Sequence, residues 1–130
     1  MRVLLIVLFT TFIAACNSSN IVVQQLNFRD IQSDLVVTDK NSYGCEPPSL
    51  EDIKHVIRTG TVVTHREVHN HFSTVGCSVK GTTIYNEQRM EFTFEFGGMI
   101  FLSNGQIIAC GESCCMQEGF EYCTYEKHDN

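Results

Sequence analysis

From Arg89 to Phe96 apolar and polar side chains alternate without a break. Met90, Phe92, Phe94 and Phe96 are apolar, and Arg89, Glu91, Thr93 and Glu95 stand between them. Side chains two apart on a strand share a face, so this stretch predicts a half-buried strand of an antiparallel sheet. The aromatic set then points inward and the charged set toward solvent. Gly76 to Tyr85, rich in β-branched residues around Gly81, continues in the same style. Met99 to Ser103 follows the Gly97-Gly98 turn, and Gln106 to Cys110 follows Asn104-Gly105. Asn-Gly is the strongest short hairpin signal, because both residues accept positive φ. Residues 74–110 therefore predict a β-meander of about four strands.

The period changes between Leu50 and Arg58. Leu50, Ile53 and Ile57 fall on one helical stripe with Val56 alongside. Ser49 can cap the start, Glu51 and Asp52 suit the first turn, Arg58 the last, and Gly60 stands just beyond. A helix of about nine residues is marginal alone, so it must pack on something, here the phenylalanine face, with Cys45 nearby to hold it. The predicted fold is α+β: a short helix packed on an antiparallel β-meander of about four strands, stapled by disulfides. Ile21-Val22-Val23 and Leu35-Val36-Val37 predict short strands. Residues 38–44 read as a loop closed by Glu46-Pro47-Pro48. Thr61 to Phe72 shows the period of two. Residues 111–130 are rich in turns and cysteines and end in a solvated tail, 126–130.

Residues 1–15 form a different pattern. Arg2 is the one charge, Val3 to Ala15 holds nothing more polar than Thr10 and Thr11, and small residues precede Cys16. This is the pattern of a cleavable secretory signal. It is shorter than the ~20 apolar residues that span a bilayer. Ile13-Ala14-Ala15-Cys16 resembles the lipobox of bacterial lipoproteins, with Ile13 in the place usually held by Leu. That resemblance covers the signal only. It implies cleavage before Cys16, acylation of Cys16, and anchoring to a lipid bilayer. Asn17, where Asp would imply inner-membrane retention, implies an outer-membrane address facing the periplasm in a Gram-negative cell. The alternative is a plain secreted, disulfide-rich chain, for which Asn17-Ser18-Ser19 fits a glycosylation sequon. Residues 16–20 then form a short polar tether, and 21–125 a single domain.

Removing 15 residues from 130 leaves 115, enough for one domain with a modest core. The formal charge of −6 becomes −7 once Arg2 leaves with the signal. An acidic chain has no electrostatic footprint for nucleic acid, and it suits a basic protein partner. The seven cysteines are Cys16, Cys45, Cys77, Cys110, Cys114, Cys115 and Cys123. An exported chain oxidises its thiols, and an odd number leaves one over. Assigning Cys16 to lipid leaves six disulfide candidates. Their pairing is open, except that adjacent Cys114 and Cys115 sit too close to bond each other and should reach to two different places.

Chemistry-bearing residues are few. His65, His69 and His71 share one face with Glu67 if their segment is a strand, where His69 and His71 could chelate one ion and His65 lies too far from His71. On a helix His65 and His69 would meet instead. A metal-binding lipoprotein is thus one alternative. A thiol redox centre at Cys110, Cys114 and Cys115 is another, although the Cys-x-x-Cys spacing is missing. Ser49, Ser103 and Ser113 lack a nucleophile-elbow context, and no phosphate loop or paired carboxylate stands out. The sequence therefore predicts no enzyme and no cofactor. It predicts a membrane-anchored periplasmic domain that binds a protein, of an inhibitor or immunity type.

Overall fold

The computed structural model describes residues 27–128. The signal, Cys16 and Ile21-Val22-Val23 lie outside them. Seven strands form one sheet: β1 Phe28–Ser33, β2 Thr38–Asp39, β3 Thr61–Val63, β4 Cys77–Tyr85, β5 Gln88–Glu95, β6 Met99–Leu102 and β7 Ile107–Ala109. Three helices accompany it: α1 Leu50–Thr59, α2 His65–His71 and α3 Glu112–Cys115. Every pairing is antiparallel, in the order β1-β4-β5-β6-β7-β3, with β2 also on β4. The fold is α+β in coarse terms, mostly sheet. The four-strand meander is its middle, and β1, β2 and β3 enlarge it.

The apolar face of β5 works as its alternation requires. Phe92, Phe94 and Phe96 are buried with Ile100, Ile108 and, from α1, Ile53, Val56 and Ile57 in one core cluster. The α1 stripe is thus the half of the core that the sheet cannot supply. Its start is fixed reciprocally: Asp52 N–H donates to Ser49 Oγ at 3.2 Å, and Ser49 N–H donates to Asp52 Oδ2 at 2.8 Å. Met99, Ile107 and Ala109 are also buried, on the opposite sheet face by register.

Three expectations are corrected upstream and in the turns. Leu35-Val36-Val37 is a connection, and the strand is Phe28–Ser33. A register shift between Arg29 and Gln32 and a positive φ of 50° at Asp30 break the period there, so no alternation could be read. Thr38-Asp39, expected in a loop, pairs with Ser78 and Cys77. Of Asn104-Gly105 only Gly105 has positive φ, at 90°. The loop holds three residues, closed by Gly105 N–H to Leu102 O and Leu102 N–H to Gln106 O, both 2.9 Å. The pair with positive φ at both positions is Asn86 (47°) and Glu87 (65°), joining Tyr85 to Gln88 in a two-residue hairpin.

Glu95 departs furthest from its period. Expected on the solvent side, it is only 8% exposed. The chain at 73–76 and the C-terminal segment fold against it. Glu95 Oε1 accepts from Val75 N–H at 2.5 Å and Gly76 N–H at 3.0 Å, and Oε2 accepts from Gly97 N–H at 2.7 Å. Next to it the Thr124 hydroxyl accepts from Ser73 N–H at 3.0 Å and lies 2.9 Å from the carbonyls of Ser73 and Gly97. A buried carboxylate is tolerated only when such donors replace water. A Cβ at Gly97 would overlap the Ser73 carbonyl, so glycine is required where these strands of chain meet.

The six described cysteines form three disulfides: Cys45–Cys77, Cys110–Cys114 and Cys115–Cys123, with Cα separations of 6.4, 5.1 and 5.8 Å. Cys114 and Cys115 reach to different partners, as their adjacency demands. The long link ties the approach to α1 onto β4, and the short two pin the C-terminal segment.

Candidate functional site

The strand pattern from Thr61 stops at Val63, and His65–His71 is helical. The reason is a second capping box. Glu67 N–H donates to Thr64 Oγ1 at 3.2 Å, while Glu67 Oε2 accepts from Thr64 N–H at 2.6 Å and Thr64 Oγ1–H at 2.8 Å. The Thr-x-x-Glu signal was present in the sequence and outweighs the β-branched run. On a helix, positions two apart point about 200° apart, so the chelating pair His69 and His71 expected of a strand does not form. His65 and His69 share a helical face and are exposed. His71 alone is drawn inward, with Nδ1 3.2 Å from the Glu126 carbonyl. A carbonyl only accepts, so Nδ1 carries the proton and Nε2 is left as an acceptor in the neutral ring.

His71 and Glu67, one turn apart on α2, line one side of a cleft of about 540 Å³. Thr61 and Val63 of β3 and Gly111, Glu112, Ser113 and Met116 around α3 also line it. Phe72 and Tyr125 close one end, their ring centroids 5.5 Å apart. The C-terminal segment is held there by Glu126 N–H to His71 O at 2.8 Å. The lining therefore combines two carboxylates with apolar surface, and Met116 is 79% exposed beside them. Hydrogen bonds from the Thr64 backbone and hydroxyl, with a smaller contribution from the His71 charge, hold the Glu67 carboxyl below its ordinary range. Its charge persists through the neutral range and into mild acid. A smaller depression of about 360 Å³ on β4, β5 and β6, around Gly81 and Phe101, brings together only Lys80 and Glu91 as charged groups.

Three groups of potential metal ligands lie within 4.8 Å among the described residues: His55 with Cys110 and Cys114; Cys110 with Cys115 and Cys123; and Asp39 with Cys45 and Cys77. Each contains sulfurs already bonded to one another, and none includes His65, His69 or His71. His55, Glu95, Glu112 and Met116 were not singled out from the sequence. His55 sits mid-helix and Glu112 in a turn-rich run, and neither has a local signal; proximity to the cysteines is created only by folding.

No family model, curated protein or solved structure matches this chain. Among the described residues no helix is long and apolar enough to cross a membrane.

Proposed function

We propose that the chain is an exported lipoprotein, anchored by an acylated Cys16 to the outer membrane, whose folded domain binds a basic protein without catalysis. An inhibitor or immunity-type role fits that description. The observation that carries the reading is the cleft between α2 and α3. A lysine or arginine side chain could lay its apolar stem on Met116 and the Tyr125 ring while its cation meets Glu67 and Glu112. The net charge of the chain would favour encounter with a basic surface. The anchor is supported by sulfur parity: six cysteines are used in three disulfides, which leaves Cys16 for lipid.

The test of binding is capture from periplasmic extract at low and high salt, comparing wild type with Glu67→Gln combined with Glu112→Gln. The reading predicts a basic protein retained at low salt, released by salt, and lost with the double variant. No partner at either salt, beside turnover by the purified domain, would remove it. A mature chain without acyl mass would leave the secreted alternative.

A further inference from the structure

The two short disulfides are not independent. Cys115 Sγ lies 3.9 Å from Cys110 Sγ, across from the Cys110–Cys114 bond. Cys110 and Cys114 are buried, 0% and 1% exposed, whereas Cys115 and Cys123 are half-buried at the protein surface. Half-buried His55 of α1 reaches the buried pair of the same cluster. Its Nε2 is 2.9 Å from the Cys114 carbonyl, so Nε2 carries a proton, and it is 3.5 Å from Cys114 Sγ. A half-buried sulfur pair, a buried sulfur pair and the half-buried His55 imidazole N–H are thus in sequential contact.

We propose that this cluster is a thiol–disulfide relay, in which Cys115 carries exchange from the accessible outer disulfide to the buried inner one. An external dithiol first reduces Cys115–Cys123. Two electrons and two protons pass to the two cysteines, and the dithiol leaves as its own disulfide. Cys115, as thiolate, then attacks Cys110 Sγ. A Cys110–Cys115 bond forms, the Cys110–Cys114 bond breaks, and Cys114 leaves with the electron pair as a thiolate. The proton lost from Cys115 is regained at Cys114, whose thiolate is stabilised by the His55 Nε2–H until then. One disulfide exists before the second step and one after it, so that step needs no further oxidant. Thiolate attack on a neighbouring sulfur, with a stabilised leaving thiolate, is the ordinary course of such exchange. The relay is independent of what the cleft binds.

The experiment uses the full exported chain carrying Cys123→Ser, which leaves Cys115 as a thiol without added reductant. After incubation the sample is acid-quenched, alkylated and mapped without reduction. The relay predicts that roughly half of the alkylation moves from Cys115 to Cys114, as for an exchange between bonds of similar strength. A Cys110–Cys115 cross-linked peptide appears with it, and adding His55→Ala slows that transfer at neutral pH. If the variant does not accumulate, wild type with substoichiometric dithiothreitol must yield the same cross-link. Alkylation confined to Cys115, with Cys110–Cys114 intact, overturns the proposal. So does labelling that spreads equally to Cys45 and Cys77, which would mean general scrambling.

Discussion

Replacing Glu95 by glutamine should destabilise the domain far more than a change of one atom on a strand's polar side would. The carboxylate accepts three backbone N–H bonds, from Val75, Gly76 and Gly97. An amide has one oxygen. Its best orientation keeps Val75 and Gly76 satisfied and turns NH₂ against the Gly97 N–H. That leaves a buried donor unmet and weakens the other two bonds by removing the charge. With each charged hydrogen bond worth about 1.5–3 kcal/mol and an unmet buried donor costing about 1–3, the loss is about 2–4 kcal/mol. For a domain of this size that lowers Tm by roughly 10–25 °C. Urea unfolding with the disulfides intact measures it as a fall in midpoint at unchanged slope. Glu91→Gln, on the same strand but exposed, is the control and should stay within about 0.5 kcal/mol of wild type. If Glu95→Gln also stays within about 0.5 kcal/mol, the carboxylate does not hold the 73–76 segment to the Gly97 turn and the reasoning fails.

Other outcomes follow from the same structure. Glu87→Gly should stabilise by about 1 kcal/mol, because a left-handed residue costs roughly that much and the exposed Arg29–Glu87 pair returns little; a lower urea midpoint would contradict it. Removing Cys45–Cys77, which spans 32 residues, should cost about 3.7 kcal/mol by loop closure, and removing Cys115–Cys123, which spans 8, about 2.5; matched alanine pairs give the ranking. The Asp39 carboxyl is held low chiefly by the Tyr43 backbone N–H, with Gly44, Cys45 and Asn41 assisting. A depressed folded value means the contribution is present above the unfolded value of 3.8 and fades as pH falls through the folded one. Stability should therefore decline in acid, and Asp39→Asn should show a flatter profile in urea midpoints measured across that range.

What could be read from the chain depended on whether a local rule met a tertiary opponent. The β5 alternation and the α1 stripe with its caps carry their own evidence, since burial and period agree at Phe92, Phe94, Ile53 and Ile57. β1 was hidden by its bulge, and α2 by β-branched residues that a capping box overrides. Glu95 obeyed the rule for strand direction and still went inside, because a distant segment brought donors to it. The cleft was legible only in part. Glu67 and His71 stood out in the histidine run, but Glu112 and Met116 join them only once two disulfides fold α3 back.

The proposed lipoprotein stands or falls on its sulfur: one cysteine acylated and six joined in pairs. The measurement is the intact mass of the protein recovered from cell membranes, alkylated before and after reduction. A lipoprotein of this design gives a chain beginning at Cys16 with added acyl mass, no alkyl group before reduction, and six after it. A chain that still begins at Met1, with its thiols alkylated before any reductant is added, would contradict it.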